Sequence, residues 1–263
     1  MLIREAIILA AGLGTRIGSP ITGVPKPLVK VSEIPLILYA ISSLLSAGVE
    51  RFHVVVNTKG HMPISRVLNE FDINVDFVIN REPERGNGYS LILGMKRVQD
   101  EFFLSMSDHI YDPRIPKVLL NAFNGSDFDI LVGADSNPRY VDIDEATKIM
   151  TRGTRVVRIG KDLSRYAHVV DIGLFIMRRD LYRTYLDYAS QNYVVELSSL
   201  IQYSVNQGRK VMIADVRGLP WIDIDTADDV YKARTTARSL IERAASIVRE
   251  YIGIPQAYQP QEQ

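Results

Sequence analysis

A hydrophobic strand that runs directly into a glycine turn is the feature that most constrains the fold of this chain. The apolar residues Ala6–Ala10 are followed at once by Ala11–Gly14, which reads A-G-L-G. A buried strand that ends in such a turn presents unpaired backbone N–H groups to an anion, and glycine lets a phosphate approach without a Cβ in the way. Arg16 and Lys26 follow and add positive charge. The pattern predicts a phosphate-binding turn at the end of a buried strand.

The turn differs from two common phosphate-binding sequences. The dinucleotide fingerprint G-x-G-x-x-G requires a third glycine, and Ile17 stands at that position. The turn also lacks the G-K-[ST] ending of a P-loop. Since the sequence shows no convincing hydride-transfer site either, a nicotinamide dehydrogenase is disfavoured.

Lys26 lies between two prolines, Pro25 and Pro27. It could be a solvated loop lysine that happens to have two stiff neighbours. However, proline fixes φ, so the two prolines hold the backbone around one cation. That restraint favours a function that depends on the position of the charge.

The composition is that of a globular chain without an overall charge. Its 263 residues include 31 basic and 31 acidic side chains, so no global field draws it to nucleic acid or to an anionic membrane. Cysteine is absent, which excludes disulfides, thiolate metal sites and cysteine nucleophiles. No apolar run approaches the roughly 18 to 20 residues of a membrane span, and we predict a cytoplasmic protein. The excess of arginine over lysine suggests a thermophilic source.

Apolar, β-branched runs alternate with helical patterns through the first half of the chain. Such alternation predicts an α/β fold with a Rossmann-like, mixed but mainly parallel sheet flanked by helices. Strands are predicted at Ala6–Ala10, Phe52–Val56, Val75–Ile79, Phe102–Met106 and Ile130–Val132. Helices are predicted at Leu36–Ala47 (after Pro35 and ended by Gly48), Pro63–Phe71, Tyr89–Val98 and Ile115–Phe123.

The pattern changes after about residue 135, where the predicted strands become shorter. Strands are predicted at Ala146–Met150, Arg155–Ile159, Val169–Ile176 and Lys210–Val216, and helices at Arg179–Ala189 and Val195–Gln207. A long amphipathic helix is predicted from Ala227 to about Tyr251, capped by Thr226 with Asp229. We predict one domain over 1–253, divided into the halves 1–134 and 135–225 and a C-terminal helix at 226–252, with a flexible tail at 254–263.

Aspartates follow two of the predicted strands. Asp108 comes after Phe102–Met106, at the same sheet edge as the glycine turn, and Asp223 and Asp225 lie in Trp221–Thr226. Magnesium is typically held by one or two carboxylates together with substrate phosphates, so these residues predict a Mg²⁺ site. Asp225 could instead cap the following helix, and Asp223 could face solvent. Strand alternation puts both on one face, so the sequence does not say which of them reaches the metal.

Together these motifs resemble the nucleotidyltransferases that join a nucleoside triphosphate to a phosphorylated small molecule. The resemblance rests on A-A-G-x-G-T-R at Ala10–Arg16 and P-K-P-L at Pro25–Leu28. N-G-Y-S at Asn87–Ser90 and M-S-D-H at Met106–His109 are similar in particular to archaeal and thermophile inositol-1-phosphate cytidylyltransferases. The resemblance, which extends from Ile3 to about residue 233, implies a nucleotide-diphospho-sugar transferase fold. It also implies that CTP and myo-inositol 1-phosphate give CDP-inositol and pyrophosphate, with Mg²⁺, on the way to a di-myo-inositol phosphate solute or an inositol lipid.

The resemblance also implies roles for individual residues on the nucleotide side, which is the half 1–134. Arg16 and Lys26 would be catalytic, because they would steady the α-phosphate and the departing pyrophosphate. No strong base is needed, since a phosphate monoester with a second pKa of about 6 is largely a dianion at neutral pH. Nucleotide contacts are implied for Leu9, Ala10, Ala11, Gly12, Gly14, Thr15, Arg16, Lys26, Asn80, Gly86, Asn87 and Ser107.

The half 135–225 would bind the acceptor. By the same resemblance Lys161 would pair with the acceptor phosphate, and Asp171 and Glu196 would accept hydrogen bonds from hydroxyl groups. Gly173 would make room for the ring, and Asp108 would lie against the acceptor as well as the metal. Each of these charged residues could also be an ordinary solvated loop residue.

The resemblance implies small-molecule partners, with no nucleic acid and no membrane-embedded segment. In some relatives this domain is fused to a membrane-embedded CDP-alcohol phosphotransferase, so a separate membrane partner enzyme is a hypothesis. The amphipathic C-terminal helix leaves a homodimer open.

Three other functions remain open on the sequence. A phosphocholine cytidylyltransferase would need an aromatic box, for which Tyr140, Tyr166 and Trp221 are candidates. A sugar-1-phosphate nucleotidylyltransferase would use the same chemistry on another acceptor. A catalytically silent subunit that only binds a nucleotide sugar would be favoured by loss of Arg16, Lys26 or Asp108, and all of these are present.

Overall fold

One nine-stranded sheet carries the fold in the computed structural model, which describes residues 3–14, 16–17, 23–123, 127–163 and 169–254. The strands, including those of two small ribbons, are β1 Glu5–Ala10, β2 Lys30–Val31, β3 Ile34–Pro35, β4 Arg51–Asn57, β5 Val75–Asn80, β6 Phe102–Met106, β7 His109–Tyr111, β8 Ile130–Asp135, β9 Lys148–Arg152, β10 Arg155–Gly160, β11 Val169–Met177, β12 Val211–Asp215 and β13 Trp221–Asp223. The α-helices are α1 Leu36–Leu45, α2 Thr58–Leu68, α3 Asn87–Met95, α4 Ile115–Phe123, α5 Leu181–Gln191, α6 Leu197–Asn206, α7 Ala227–Arg234 and α8 Arg238–Ile252. Short 3-10 turns lie at Lys26–Leu28 and Pro83–Arg85.

The half of the sheet built from residues 5–106 is parallel, as predicted. β1 lies between β4 and β6, and β4 also pairs with β5. The alternate residues of β1 are buried on opposite faces, with Ile8 in one core and Ile7 in the other. Burial on both faces explains why β1 reads as a continuous apolar run.

The other half of the sheet departs from the parallel order. β11 pairs antiparallel with β6 and β8, β10 pairs antiparallel with β9 and β12, and only β8 and β12 run parallel there. The first residues of β11 also pair with β9, so β11, β8, β12, β10 and β9 form a closed ring. The bend in β11 that permits this lies between Asp171 and Phe175, where the register shifts and Gly173 has a φ of +71°. Glycine takes that conformation without the strain a side chain would add.

The C-terminal helix predicted over 226–252 is wrong as a single element. The chain breaks at residues 235–237 and forms α7 and α8. Thr235 ends α7 with φ −113° and ψ −84°, and its hydroxyl donates to the carbonyl of Tyr231 at 2.8 Å. A β-branched residue whose side chain hydrogen-bonds to the preceding turn is unfavourable in the interior of a helix. Thr235 is such a residue, and a second threonine follows it in the sequence. The predicted capping box of Thr226 and Asp229 is confirmed.

The start of α2 was also predicted wrongly. The proline at position 63 suggested a helix over 63–71, but the helix begins at Thr58 and Pro63 lies inside it. Asn57 explains the earlier start, because its side chain caps the helix by accepting from Gly60 N at 2.8 Å.

Two hydrophobic layers enclose the sheet. One layer contains α1, which is buried from Leu36 to Leu44 and packs against α8. Leu91 and Met95 of α3 and Leu200 and Ile201 of α6 lie in the layer on the opposite face. None of the helices in the described part of the chain combines the length and apolar composition needed to cross a membrane. Thr15, Tyr166 and the predicted tail from residue 255 onward lie outside the described residues.

Candidate active site

The glycine turn follows β1 at the centre of the parallel half. A Cβ placed on Gly12 would meet no atom within 4 Å, so this residue is open to a ligand, and Gly14 has a φ of +61° that favours glycine. Asn57, the last residue of β4, donates to the carbonyls of Ala11 at 3.0 Å and Gly12 at 3.3 Å. The turn is thus held from the neighbouring strand with its open side free.

Lys26 lies at the centre of a charged cluster beside the turn. Its ammonium donates to carboxylate oxygens of both Asp108 and Asp225. The other oxygen of Asp225 accepts from Arg16 at 2.9 Å. Four charged groups from separate segments therefore meet, and the two cations balance the two carboxylates.

The ribbon formed by β7 and β13 brings the two aspartate segments together. Asp223 pairs with His109 across this antiparallel ribbon, and Ile224 N donates to the carbonyl of Asp108 at 3.0 Å. Ser107 N in turn donates to the carbonyl of Leu9 at 3.2 Å. The backbone thus links the end of β1, the loop after β6 and the residues after β13.

The cluster stabilises the charged forms of Asp108 and Lys26. Burial would raise the pKa of Asp108, but the charge of Lys26 and hydrogen bonds from His109 and Lys26 outweigh it, so the pKa lies well below its usual range. Burial likewise would lower the pKa of Lys26, and the charges of Asp108 and Asp225 raise it instead. Asp108 is therefore a carboxylate and Lys26 an ammonium at neutral pH.

His109 is hydrogen-bonded to Asp108. Its Nδ1 lies 2.7 Å from an Asp108 oxygen, and its ring stacks on Trp221 with centroids 5.9 Å apart and an interplanar angle of 8°. Trp221 is fixed in turn, since its Nε1 donates to Asp135 at 2.9 Å. Burial lowers the pKa of His109, but the hydrogen bond and charge of Asp108 raise it overall.

Two cavities meet at the cluster. The smaller, of about 100 Å³, lies between the glycine turn and the start of α3. The larger has a volume of about 460 Å³, which is common for small-molecule sites. It is bordered by residues 140–147, β11 and the segment 221–232. Asn87, Met106 and Asp108 line both cavities. Groups bound in the two cavities would therefore face each other across Asp108.

The larger cavity is rich in acidic side chains. Asp171 lies on its wall, where one oxygen accepts from Gly173 N at 2.8 Å. Burial raises the pKa of Asp171 to about 6, although the Gly173 N–H lowers it in part. Gly173 must lack a side chain, because a Cβ there would lie 2.7 Å from His109 Nε2. The other acidic residues that line this cavity are Asp108, Asp142, Glu145, Glu196, Asp223, Asp225, Asp228 and Asp229.

The donor chemistry of the cluster suits Mg²⁺. Asp108, Asp223 and Asp225 line the same cavity, and carboxylate oxygens are ligands that magnesium prefers. Burial raises the pKa of Asp223, and the charges of Asp225 and Asp108 add to that effect while His109 opposes it, so a cation would be stabilising there. Among the described residues, however, no three acidic or histidine side chains converge on one metal position. Lys26 lies between two of the three predicted ligands instead.

Comparison with known proteins gives a family that fits this geometry. Residues 6–213 match the family described as MobA-like NTP transferase domain.

The chain belongs to this family of nucleotidyltransferases.

Relatives and solved structures agree with that membership. This transferase is 36% identical over 242 residues to the bifunctional IPC transferase and DIPP synthase of Archaeoglobus fulgidus, covering 92% of this chain and 45% of that protein. It is 34% identical to the protein of the same name from Thermococcus kodakarensis, covering 89% of this chain and 50% of that protein. The chain thus spans about half the length of these curated relatives. The structure of the inositol-1-phosphate CTP transferase from T. maritima superposes with a TM-score of 0.84 at 30% identity, covering 96% of this chain and 98% of that one.

The predicted fold class is confirmed as an α/β nucleotide-diphospho-sugar transferase fold with a mixed sheet. The predicted division of the transferase into two binding halves stays a prediction. The match to the family ends at residue 213, before the ribbon strand β13 that carries Asp223.

Most of the residues predicted for the nucleotide border the smaller cavity of the transferase. Those that line it are Leu9, Ala10, Ala11, Gly12, Lys26, Gly86, Asn87 and Ser107, while Arg16 lines the larger cavity. Gly14 shapes the turn without lining either cavity, and Thr15 lies outside the described residues.

Asn80 and Asn87, both predicted for the nucleotide, make hydrogen bonds within the protein. Asn80 is fully buried and bonded internally, since it donates to Ser90 at 2.9 Å and accepts from Glu82 N at 2.8 Å. It therefore holds the loop before α3, and it lines neither of the two cavities described above. The side-chain oxygen of Asn87 accepts from Leu197 N at 2.8 Å, and its role in binding the nucleotide stays a prediction.

The residues predicted for the acceptor come together as expected. Asp108, Lys161, Asp171, Gly173 and Glu196 all line the larger cavity. Their role in binding is still a prediction. Tyr140 and Trp221, the described members of the aromatic box considered above, also line it, but His109 stacks on the Trp221 ring.

Sequence reasoning missed two residues that shape the site. Asn57 was not singled out, although an asparagine directly before a helix is a recognisable cap signal that would have drawn attention to it. Lys148 was absorbed into a predicted strand, and nothing in the local sequence shows that its ammonium is buried.

Proposed function

We propose that this transferase joins CTP to inositol 1-phosphate and releases pyrophosphate. The observation that carries the proposal is Lys26, which bridges Asp108 and Asp225 at the point where the two cavities meet. Similarity to the inositol-1-phosphate CTP transferase of T. maritima, over nearly the whole of both chains, supports this choice of substrates.

The chemistry requires two polyanions to meet. In our proposal the triphosphate lies along the glycine turn, where the open side of Gly12 leaves room for a phosphate. The charges of Arg16 and Lys26 neutralise the phosphate charge there. The acceptor phosphate enters from the larger cavity and attacks the α-phosphorus. Because that phosphate is already largely a dianion at neutral pH, the protein needs to supply alignment and charge stabilisation, and no general base.

A magnesium ion would be held by Asp108 with Asp223 or Asp225. When bound, it would neutralise phosphate charge and orient the triphosphate. Two of these residues, Asp108 and Asp225, also form ion pairs with Lys26, and Asp225 pairs with Arg16, so the two cations hold these two carboxylates close together before a substrate arrives.

The acidic wall of the larger cavity supports a polyhydroxylated acceptor. Carboxylates such as Asp171 and Glu196 accept hydrogen bonds from hydroxyl groups, and an inositol ring presents several hydroxyls around one phosphate. Lys161 lines the same cavity and would pair with that phosphate.

The test is pyrophosphate release with Mg²⁺, with CTP and UTP each crossed against inositol 1-phosphate, phosphocholine and glucose 1-phosphate. We expect turnover confined to CTP with inositol 1-phosphate and lowered at least about 10³-fold in Asp108→Asn. Asp127→Asn is the matched control, because Asp127 is exposed and pairs only at the surface with Lys210.

The other outcomes separate the alternatives. Turnover with another acceptor would keep the reaction class and overturn the inositol assignment. Binding of a nucleotide sugar without turnover on any pair would overturn the enzymatic proposal in favour of a silent subunit.

We also propose that the product serves a membrane CDP-alcohol phosphotransferase, because the named relatives carry a second synthase activity. Membranes from the source cell should consume CDP-inositol and transfer its phosphoinositol group to an alcohol. A membrane fraction that leaves CDP-inositol intact would count against this partner.

A cytoplasmic homodimer is the remaining part of the proposal. The apolar face of α8 packs against α1 within this chain, so its amphipathic spacing does not by itself require a second copy. Light scattering of the purified chain tests the dimer, and cell fractionation tests the compartment. A monomeric mass across the working concentration range would remove the dimer.

A further inference from the structure

We propose that Lys148, the first residue of β9, is a positioning residue that holds the acceptor side of the site in shape. Only 3% of Lys148 is exposed. Its ammonium donates to the backbone carbonyls of Asp144 at 3.0 Å, Ala146 at 3.0 Å and Lys161 at 3.3 Å. The inference deepens the proposed function and rests on it for the identity of the acceptor.

The environment of this ammonium is unusual for a lysine. Lysine is almost never fully buried unless its charge is compensated, because removing the charge from water is costly. An ammonium has three N–H donors, and three carbonyl oxygens accept them here. Among the described residues no carboxylate pairs with it. The hydrogen bonds from its ammonium to the described residues are thus all to backbone carbonyls, which is what a group that fixes chain geometry requires.

The carbonyls belong to two segments that are not adjacent in sequence. Asp144 and Ala146 lie in the loop before β9, and Lys161 follows β10. Residues of both segments line the larger cavity, whereas Lys148 does not line it. Lys148 thus lies behind the cavity wall and ties its two parts together.

The same loop is also connected to the carboxylate with the raised pKa. Asp171 N donates to the carbonyl of Thr147 at 2.9 Å, one residue before Lys148. Lys148 therefore fixes the separation between Lys161, proposed for the phosphate, and Asp171, proposed for the hydroxyls. That separation must match the distance between phosphate and hydroxyls on one acceptor molecule.

The kinetic test compares Lys148→Met with Lys117→Met, whose lysine is exposed on α4. We expect KM for inositol 1-phosphate to rise about tenfold or more in Lys148→Met while KM for CTP changes less than about twofold, since small misplacements of binding groups weaken catalysis strongly. Lys117→Met should match the wild type. Equal increases in both KM values, or no increase, would overturn the proposal.

A second variant keeps the test decisive if Lys148→Met misfolds. Lys148→Arg keeps the charge, but a planar guanidinium cannot direct its donors to three carbonyls as an ammonium does. We expect it to remain folded and to raise KM for inositol 1-phosphate several-fold. A wild-type KM in Lys148→Arg would overturn the proposal even if Lys148→Met does not fold.

Hydrogen exchange separates this inference from the identity of the acceptor. Backbone amides of 142–147 and 160–163 should exchange faster in Lys148→Arg than in wild type, with the glycine turn unchanged. If the wild type turns over another acceptor, KM for that acceptor takes the place of KM for inositol 1-phosphate. Unchanged exchange in both segments would overturn the positioning role whatever the acceptor is.

Discussion

At the scale of single residues, the site depends on one ammonium that joins two distant parts of the chain. Lys26 contacts Asp108 and Asp225, and neither aspartate is near it in sequence. The prolines on either side predicted that its position matters, and the contact with both carboxylates gives that restraint a purpose. Which aspartates it would meet could not be read from the sequence.

Asn57 offers a way to separate folding from phosphate binding. In Asn57→Asp the side chain can still cap α2, but it can no longer donate to the carbonyls of Ala11 and Gly12. We expect KM for CTP to rise about tenfold with kcat and KM for the acceptor little changed, because the glycine turn loses its restraint. Steady-state kinetics check this, with circular dichroism to confirm the fold. An unchanged KM for CTP would mean that Asn57 serves only as a cap.

Asp171 predicts a dependence of stability on pH. Its pKa rises on folding from 3.8 to about 6, so between these values the folded state binds a proton that the unfolded state has lost. The free energy of unfolding therefore falls as pH rises from about 4 to about 6. Asp171→Asn removes this effect and should be more stable than wild type by about 2 kcal/mol at pH 8 and by little at pH 4.

Urea unfolding of both proteins at pH 4, 6 and 8 tests this prediction. A stability difference that stays constant with pH would contradict it. Because Asp171 lines the larger cavity, where we propose that the acceptor binds, the variant should also bind the acceptor more weakly, so stability and activity would move in opposite directions.

At the scale of elements, the loop before α3 and the segment before α6 are clasped together. Val195 N donates to Arg85 O at 2.7 Å, Tyr89 N donates to Val195 O at 3.2 Å, and Asn87 bonds to Leu197 N. The Arg85 guanidinium also stacks over Tyr89 at 3.8 Å. A wall of the smaller cavity is thus fixed directly to Glu196, which lines the larger cavity.

Gly88 is a position where the two segments approach each other closely. A Cβ on Gly88 would lie 2.7 Å from Val195 O and 2.9 Å from Glu196 O, both backbone atoms. We expect Gly88→Ala to lower the free energy of unfolding by about 2–3 kcal/mol through overpacking. Gly153→Ala is the control, because its Cβ would meet no atom within 4 Å and only its φ of +60° adds strain, of about 1 kcal/mol. Equal losses in the two variants would argue against the clasp.

The elements were predictable where burial and local chemistry agree. The buried strand β6 and helix α4 have the predicted bounds, because an apolar run and an amphipathic stripe are unambiguous there. The break at residues 235–237 was missed because the apolar spacing continues through it. The start of α2 was missed because Pro63 has the signature of a first turn but is accommodated inside the helix.

At the scale of the whole molecule, two kinds of sheet share one site. The parallel half carries the glycine turn, and the closed ring, in which only β8 and β12 run parallel, carries Asp171 and the loop held by Lys148. The sequence predicted which residues gather at the sheet edge, since carboxyl ends of parallel strands lie together. It could not predict the ring or the β7 and β13 ribbon, because these depend on long-range pairing that no local pattern encodes.

Ligand binding should be visible in global stability. CTP at about 100 times its Kd adds about 2.7 kcal/mol to the free energy of unfolding, which for a chain of this size raises Tm by about 5 °C or more. We expect this increment with Mg²⁺ and a much smaller one in EDTA, measured by differential scanning fluorimetry. Asp108→Asn should abolish the Mg²⁺-dependent part, and Asp127→Asn should retain it. An increment that is equal with and without Mg²⁺ would contradict the predicted metal site.

The late position of β13 has a consequence for synthesis. All nine strands of the main sheet have left the ribosome once Asp215 has emerged, and Lys26 then has Asp108 but no second carboxylate. Asp225, the second carboxylate of the charged cluster, follows the ribbon strand β13 that pairs with β7, so it leaves the ribosome later still. Catalytic competence is thus among the last properties that a nascent chain acquires, and a chain released before Trp221 would hold its nine strands but could not assemble this cluster.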